Sequence, residues 1–283
     1  SGKIAGPSNF EVADDFLFFN PKAGLTYSFR ESQKLYFSYA MAQREPNRTD
    51  YENGTPKPEK LNDFELGWRI KKERIQAQAN LYWMDYNNQL VLTGALDAVG
   101  APIRQNVGES RRVGLEVEAQ WQFLDQLIWK PNIALSSNKN LDFYFKRDGV
   151  LEALENTNLA YSPNFIAGNA LVFMPSTSFQ IGLLSKYVGK QYMGNIDSEN
   201  SLLEAYFVSD ISAVWTWQPE KWIESIQWSV LVNNIFNAKY QSNGYFYTFD
   251  DDWSNPAQIS TIEGAGFYPQ AGINFLSGLS LRF

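Results

Sequence analysis

Apolar and polar residues alternate with a period of two along much of the chain. In the stretch RVGLEVEAQWQF this alternation places Val113 and Leu115 on one side and Glu116 and Glu118 on the other, as in a β-strand with one apolar face. The same pattern recurs in DFELGWRI, in IQAQANLYW and in INFLSGLSLRF. About eleven such segments are present, and many span roughly 10 to 14 residues, whereas strands of globular proteins average about 5 or 6. The pattern therefore predicts an all-β chain of long strands.

The segments between these strands are alternately short and long. The short ones are RESQ, KKER, LDQ, PSTS and QPEK, and the long ones include EPNRTDYENGTPKPEK and RDGVLEALENTNLA. An up-and-down antiparallel barrel with one plain rim and one elaborated rim produces this alternation. The sequence predicts two groups of residues at opposite rims: Lys71, Lys72, Asp125 and Pro175 to Ser178 at one, and Pro56, Gly100, Asn156 and Asp251 at the other.

Two architectures fit the apolar faces: a transmembrane barrel turns them towards lipid, and a soluble β-sandwich buries them. Strand length and the alternation of spacers favour the barrel. Aromatic residues near strand ends favour it too, because aromatics collect where a membrane meets water: Trp121, Phe123, Trp129, Trp215, Trp217 and Trp222. The barrel predicts two sets of side chains, with Val113, Leu115, Val117, Ile273, Leu279 and Leu281 pointing away from its axis and Arg112, Glu116, Glu118 and Arg282 pointing inward.

Composition removes several classes of function. The formal net charge is −7, from 31 acidic and 24 basic residues, which disfavours nonspecific binding of nucleic acid. The chain contains no Cys and no His, so disulfides, thiolate metal sites and Ser-His triads are excluded. The longest nearly apolar stretch, Ile166 to Pro175, is too short for a membrane-spanning helix. We expect no catalytic residue, no cofactor and no metal site, and we expect that the protein is not an enzyme.

Several stretches resemble one family of bacterial proteins. They are NPKAGLTYSF, LYFSYAMAQREPNR, LNDFELGWR, YSPNF, and above all VLVNNIFNAKYQSNGY followed by PQAGINFLSGLSLRF. Together they resemble the barrel of a TonB-dependent outer-membrane receptor, closest to receptors of Bacteroidetes. Asn233, Asn234 and Asn237 suit the left-handed backbone needed where a strand leaves the rim, and Tyr240 suits an anchor at the interface.

The resemblance implies a barrel of about 22 strands with a plugged lumen. About eleven strands make half of it, and an odd number does not close a single-chain bacterial barrel. We therefore expect residues 1–283 to be the C-terminal portion of such a barrel, without the plug domain. With the C-terminus in the periplasm, as the resemblance implies, the short turns are periplasmic, the long loops are extracellular, and the first residues lie near the extracellular rim. Phe283 resembles the terminal aromatic residue by which the barrel-assembly machinery recognises its substrates.

The implied function is energised, TonB-dependent uptake of a scarce nutrient across the bacterial outer membrane, with an iron–siderophore or similar metal chelate as the expected ligand. Haem, cobalamin and oligosaccharides remain open as ligands. The implied partners are the TonB complex of the inner membrane, reached through the missing N-terminal part, the barrel-assembly machinery, outer-membrane lipid and the nutrient itself. A soluble carbohydrate-binding β-sandwich and a passive porin remain as alternatives. The fragment alone is expected neither to transport nor to catalyse.

Candidate ligand contacts lie in the long loops: Arg104, Arg111, Tyr245, Tyr247, Asp250, Asp251, Asp252 and Trp253. The tip YTFDDDWSNP is both acidic and aromatic. Clustered carboxylates suit a hard cation, but the spacing matches no calcium loop, and a solvated acidic tip is the simpler interpretation. Arg104, Arg111 and the neighbouring Arg112 suit an anionic ligand such as a ferric siderophore, or else pair with Glu116 and Glu118.

Overall fold

The computed structural model describes residues 2–5, 11–52, 54–96, 100, 102–106, 108–219, 222–255 and 258–283. In chain order its elements are β1 (Gly2–Ala5), β2 (Glu11–Asp14), β3 (Lys22–Arg30), β4 (Gln33–Arg44), α1 (Arg48–Glu52), β5 (Glu59–Lys71), β6 (Ile75–Asn87), β7 (Leu90–Leu96), β8 (Pro102–Asn106), β9 (Glu109–Leu124), β10 (Leu127–Leu141), β11 (Phe143–Arg147), β12 (Val150–Glu155), β13 (Phe165–Ser176), β14 (Phe179–Val188), β15 (Gln191–Tyr192), the 3-10 helix η1 (Glu199–Ser201), β16 (Leu202–Leu203), β17 (Tyr206–Trp217), β18 (Ser225–Asn233), β19 (Gln241–Asp251), β20 (Ser260–Pro269) and β21 (Asn274–Arg282).

Eleven strands form one continuous antiparallel sheet, in the order β21-β18-β17-β14-β13-β10-β9-β6-β5-β4-β3. Strands that follow one another in this sheet along the chain are also neighbours in space, which is the up-and-down topology that the spacers predict. The predicted number of strands is confirmed. A single sheet of this width, instead of two packed sheets, shows that the sandwich alternative is wrong. Within the described residues β3 and β21 each have one free edge.

The connections of the sheet fall into two groups, one at each end of the strands. The short ones, residues 31–32, 72–74, 125–126, 177–178 and 218–224, define the short-turn rim. The long ones, residues 45–58, 88–108, 142–164, 189–205 and 234–273, define the long-loop rim. Asp125 therefore lies at the rim opposite Gly100, as the sequence predicts. Residues 220 and 221 of the predicted QPEK turn lie outside the described part of the chain.

The register of the strands confirms the predicted alternation of faces. Leu115 of β9 lies between Leu81 of β6 and Leu135 of β10, and all three are 38–50% exposed. Three positions further along β9, Glu118 lies between Gln78 and Asn132 on the other face. The sheet therefore has an apolar face and a polar face, each continuous across neighbouring strands.

Tyrosine rings lie over glycines on the polar face. Tyr36 of β4 crosses Gly67 of β5, so a Cβ at that glycine would overlap the ring. The Tyr36 hydroxyl then donates to Asn80 Oδ1 of β6, 3.0 Å away. The small residue lets one side chain connect three strands, which is a common reason for glycine inside a sheet.

Tryptophans cluster on the apolar face towards the short-turn rim. Trp121 pairs with Trp129 across β9 and β10, and Trp215 pairs with Trp228 across β17 and β18. The Trp129 indole N–H donates to Asn169 Oδ1 at 2.8 Å. Exposed indoles with a satisfied N–H are what an interfacial girdle requires. The predicted girdle residues are all exposed: Trp121, Phe123, Trp129, Trp215, Trp217 and Trp222.

The long-loop rim is more ordered than the sequence predicts. Four of its connections contain antiparallel hairpins of their own, β7–β8, β11–β12, β15–β16 and β19–β20. A left-handed backbone is predicted for three asparagines where the chain leaves β18. It is confirmed for two of them, since Asn234 and Asn237 have positive φ angles of 51° and 50°. The expectation for Asn233 is wrong, because this residue ends β18 and its side chain donates to Asn274 Oδ1 at 2.9 Å.

The helix α1 lies in the first long connection and has five residues. Its Tyr51 is buried, and the hydroxyl donates to Asp14 Oδ2 of β2 at 2.8 Å. Burial and this hydrogen bond raise the pKa of Tyr51 to about 12. The contact confirms that the early part of the chain lies at the long-loop rim. Neither helix in the described residues has the length or the apolar character to cross a membrane.

Candidate functional site

The hairpins of the long-loop rim share an apolar core. Five buried residues from three connections pack together, with Leu154 and Phe246 against them: Val91, Phe143, Phe145, Leu159 and Ile196. Because the cluster combines residues of several connections, these connections depend on one another for their apolar contacts. The rim is therefore a structured cap and not a set of independent loops.

Buried amides connect the same hairpins. The Asn195 amide group donates to the Leu92 carbonyl at 2.8 Å, and its oxygen accepts from the Ala160 N–H at 2.9 Å and from the Asn140 amide at 3.3 Å. Asn195 is 4% exposed and Asn140 is fully buried. Hydrogen bonds in such a water-poor setting are costly to break. Asn195 thereby holds three connections in one arrangement.

Glu263 of β20 joins three hairpins through one carboxylate. It accepts hydrogen bonds from Asn200 Nδ2 at 2.9 Å and from Arg147 Nη1 at 3.1 Å, and a further one from the Ser198 hydroxyl. Burial acts to raise the pKa of Glu263, but these hydrogen bonds together with the Arg147 charge outweigh it and hold the pKa below its ordinary value. The ionised carboxylate is therefore the form that connects the hairpins at neutral pH.

Asp148 and Thr261 dock the tip of β11–β12 onto β20. The Asp148 N–H donates to Thr261 Oγ1, and the Thr261 N–H donates to Asp148 Oδ1, each at 2.7 Å. The Thr261 hydroxyl in turn donates to Asp250 Oδ1 at 2.8 Å. Asp250, a predicted ligand contact, therefore has a structural partner.

A cavity of about 1010 Å³ lies between β7–β8, β11–β12 and β19–β20. Its wall combines aromatic rings, among them Tyr144 and Phe249, with the charged side chains of Lys146, Asp250 and Glu109. Its size fits a drug-sized or larger small molecule. Tyr144 and Lys146 alternate with the buried Phe143 and Phe145 along β11. Because successive side chains of a strand point to opposite faces, burial of the two phenylalanines leaves Tyr144 and Lys146 exposed.

The predicted arginines lie outside this cavity and have carboxylate partners other than those considered from the sequence. Arg104 Nη2 lies 2.9 Å from Oδ1 of the buried Asp50. Arg111 Nε lies 2.7 Å from Asp85 Oδ1, and its guanidinium covers the Trp83 ring at 4.7 Å. Arg112 covers the Tyr86 ring at 4.2 Å. The alternative of pairing with Glu116 and Glu118 is therefore wrong for Arg104 and Arg111.

The acidic tip of β19–β20 forms a turn. Asp251 Oδ1 accepts from the Ser254 N–H at 3.0 Å and from the Trp253 N–H at 3.3 Å. These hydrogen bonds, first those from Ser254, lower the pKa of Asp251. The turn folds Trp253 back onto Phe249, with ring centroids 5.9 Å apart. Within the described residues, no group of three or more carboxylates is arranged to hold a metal ion.

Sequence reasoning misses the residues that organise this site. Glu263, Asn195 and Lys146 carry no motif, and their partners are far away in sequence; Arg147 and Glu263 are 116 positions apart. Among the predicted contacts, the structure brings Asp250, Tyr245, Tyr247 and Trp253 together on one hairpin and leaves Arg104 and Arg111 apart from them.

The family becomes clear from sequence comparison. The family model for the TonB dependent receptor-like β-barrel matches residues 5–237. The chain belongs to this family. Members of the family lie in the outer membrane of Gram-negative bacteria, and so does this chain.

Individual relatives are receptors for siderophores and for pesticin. The pesticin receptor of Yersinia enterocolitica is 25% identical over 190 residues, which cover 66% of this chain and 26% of the relative. The catecholate siderophore receptor Fiu of Escherichia coli K12 is 21% identical over 254 residues, which cover 81% of this chain and 30% of the relative. This chain therefore spans less than a third of either relative.

Solved structures show the same fold. The closed form of the ferric-catecholate import receptor Fiu from Escherichia coli K12 superposes with a TM-score of 0.65 at 18% identity, over 96% of this chain and 36% of that one. Receptors of the family bind siderophores and interact with TonB, and as a group they are transport receptors. The likeness to Bacteroidetes receptors stays a prediction.

Proposed function

We propose that this chain is part of an outer-membrane receptor that imports an iron–siderophore complex with energy supplied through TonB. Residues 1–283 form the C-terminal portion of its barrel, and segments outside this chain supply the plug and the TonB contact. The long-loop rim faces the outside of the cell and the short-turn rim faces the periplasm. The chain performs no catalytic step.

The observation that carries this proposal is the cavity between the three hairpins. It lies at the rim where a ligand arrives, and its walls offer aromatic faces beside the Lys146 ammonium. Aromatic siderophores match such a wall because rings pack on rings, and Lys146 offers a cation to their anionic groups beside the carboxylates of Glu109, Asp142 and Asp250. The relatives that import ferric catecholates support the same ligand class.

Three further partners belong to the proposal. The lipid of the outer membrane contacts the apolar face, where Leu81, Leu115 and Leu135 form an exposed row. The barrel-assembly machinery recognises the C-terminal Phe283, which is 83% exposed. TonB acts through the N-terminal part of the receptor. The complete receptor therefore requires segments that precede this chain.

The test is iron uptake by the complete receptor in an iron-starved host that lacks its own catecholate receptors. Radioactive ferric enterobactin, a ferric catecholate, is the probe. Reversing the charge in the cavity with Lys146→Glu should raise the concentration for half-maximal uptake about tenfold or more, which corresponds to about 1.4 kcal/mol of lost attraction. Deleting TonB should abolish uptake by the wild type.

Lys239→Glu is the matched control. Lys239 is also exposed on the long-loop rim, in the connection that leads into β19, but it does not line the cavity. The same change of charge there should leave uptake within about twofold of the wild type. Equal effects of both variants, or uptake that persists without TonB, would show that the cavity is not the ligand site of an energised receptor.

A further inference from the structure

A shallow groove lies on the apolar face of the sheet, towards the short-turn rim. It has a volume of about 270 Å³ and crosses four neighbouring strands, β9, β10, β13 and β14. The residues that line it are Trp121, Phe123, Trp129, Asn169, Leu171 and Leu183. We call it the girdle groove. It lies at the opposite end of the strands from the cavity between the hairpins.

A single row of side chains across the sheet forms most of the girdle groove. Its members lie directly opposite one another on the four strands: Trp121, Trp129, Leu171 and Leu183. Phe123 lies two positions nearer the rim on β9, and its ring packs against Trp121 with centroids 5.6 Å apart. The groove therefore has aromatic side chains at one end and aliphatic side chains at the other, and both pack on hydrocarbon.

Asn169, the polar member of this lining, places unpaired hydrogen-bond donors in the girdle groove. The Trp129 indole N–H only donates, so the group of Asn169 that accepts from it at 2.8 Å is the side-chain oxygen. The amide nitrogen faces away from the indole, and its N–H groups have no hydrogen-bond partner among the residues that the structure describes. Unpaired donors among apolar groups of a membrane cost free energy. An acceptor supplied by the membrane would remove that cost.

A pair of opposite charges lies at the short-turn rim beside the girdle groove. Asp125 is in the turn between β9 and β10, two positions after Phe123 and therefore within about 7 Å along the strand. Arg74 Nη2 lies 2.5 Å from Asp125 Oδ1, and the two side chains are 54% and 81% exposed. The Gln122 side-chain amide donates to the Asp125 carbonyl at 3.0 Å and holds the turn. The rim thus presents one cation and one anion next to the groove.

We propose that the girdle groove binds one phospholipid of the periplasmic leaflet, with a zwitterionic phosphoethanolamine headgroup. One acyl chain lies against Trp121 and Trp129, and the Asn169 amide donates to an ester carbonyl of the lipid. Arg74 binds the phosphate, and Asp125 binds the ammonium. The inference rests on the proposed function, because it uses the assignment of the apolar face to lipid and of the short-turn rim to the periplasm.

Charge and hydrogen bonding favour this lipid over other occupants. A phosphoglycerol headgroup carries no cation for Asp125, and the carboxylate repels its phosphate. A diacylglycerol has neither charge, so it makes no use of the Arg74–Asp125 pair. An apolar segment of another protein offers Asn169 no acceptor, because the backbone of a membrane-spanning segment is already hydrogen-bonded. The groove, the amide and the charged pair together select a lipid with an acyl chain, an ester carbonyl, a phosphate and an ammonium.

The test measures lipid binding to the complete receptor, purified in detergent and freed of lipid. Native mass spectrometry should show that the first phosphatidylethanolamine binds at least about fivefold more tightly than phosphatidylglycerol. Asn169→Leu keeps the size of the side chain and removes its N–H groups, so the affinity for phosphatidylethanolamine should fall about tenfold. Asp125→Asn removes the partner of the ammonium and should bring the two affinities within about twofold of each other.

Asn62→Leu is the matched control. Asn62 is also on the apolar face, two positions before Phe64, and its side-chain oxygen also accepts from an aromatic residue, the Tyr39 hydroxyl, at 3.0 Å. It lies near the long-loop end of β5 and does not line the girdle groove. Because the two sites share no partner, the same replacement there should leave the affinity for phosphatidylethanolamine within about twofold of the wild type.

Three results would overturn the proposal. They are equal affinities of the wild type for the two phospholipids, equal losses in Asn169→Leu and Asn62→Leu, and an unchanged lipid preference in Asp125→Asn. Self-association that Trp129→Ala abolishes and phosphatidylethanolamine does not displace would assign the groove to a contact between copies instead. The measurement uses neither iron nor TonB, so its failure leaves the uptake proposal standing. A receptor that binds the lipid but fails in uptake would keep this site and lose only the proposed ligand.

Discussion

At the scale of single residues, Asn234 fixes the backbone at both ends of the longest connection of the sheet. Its φ of 51° turns the backbone away from β18. Its side-chain amide donates to the carbonyls of Ala238 and Ala271 at 2.9 and 3.1 Å, and its oxygen accepts from the Ala238 N–H at 2.8 Å. One buried side chain therefore binds both ends of the connection that carries β19 and β20.

Asn234→Ala should destabilise the complete receptor by about 2–4 kcal/mol, since alanine loses these hydrogen bonds and disfavours a left-handed backbone. Asn234→Gly keeps the backbone freedom and loses only the hydrogen bonds, so its loss should be about 1–2 kcal/mol. Urea titrations in lipid vesicles, followed by tryptophan fluorescence, would measure both variants. Identical losses would mean that the backbone angle does not matter at this position.

At the scale of elements, the sequence predicts the strands of the eleven-stranded sheet, here called the wall, better than it predicts the hairpins of the long-loop rim. The alternation around Leu115 is a local pattern, so it locates β9 without knowledge of any partner. The hairpins β7–β8 and β11–β12 depend on contacts such as that between Asn195 and Leu92, 103 positions apart. No local signal encodes such a contact. The wall is therefore predictable, whereas the cavity that the hairpins enclose is not.

Glu263→Gln should loosen the β11–β12 hairpin and the η1 segment, because a neutral amide holds Arg147 less strongly. The opening free energy from hydrogen exchange of residues 143–155 should fall by about 1–3 kcal/mol at pH 7. The pKa of Glu263 is lowered in the folded protein, so its contribution is complete above its ordinary pKa and is lost as pH falls through the lowered one. Acidification should therefore loosen the wild type and leave the variant unchanged.

The control for this experiment is Glu224→Gln. Glu224 pairs with Arg282 at 3.0 Å, but at the short-turn rim and with both side chains exposed. Its replacement should not alter exchange in residues 143–155, because surface pairs contribute little and this one lies far from the hairpin. Loosening in the control, or equal acid sensitivity of wild type and Glu263→Gln, would assign the effect to another carboxylate.

At the scale of the whole molecule, the eleven-stranded sheet is open, and β3 and β21 are exposed along their whole length. Their free N–H and C=O groups have no water to bind inside a bilayer. If the sheet spans the membrane as proposed, both edges require pairing partners from outside this chain, and the predicted 22-stranded barrel would supply them. The number of strands can be predicted from the sequence because each strand is long and regular. How the sheet closes into a barrel cannot, because the pairing partners of its two edges lie outside this chain.

Leu115→Arg tests which face of the wall meets lipid. Leu115 lies near the middle of β9 within the row of exposed leucines, and an arginine there should cost about 2–4 kcal/mol in folding of the complete receptor into vesicles. Gln78→Arg introduces the same charge on the polar face, beside Glu118, and should change stability by no more than about 0.5 kcal/mol. The opposite ranking of the two variants would reverse the assignment of the faces.

The two-residue turns at 31–32, 125–126 and 177–178 also restrict where the chain tolerates insertions and deletions. Adding or removing one residue next to such a turn displaces the following strand by one position, and its leucines then exchange faces with its glutamates. An added residue in a long connection can be absorbed in a hairpin tip without reaching the wall. Epitope tags and fluorescent labels should therefore be inserted at the rim that carries the hairpins.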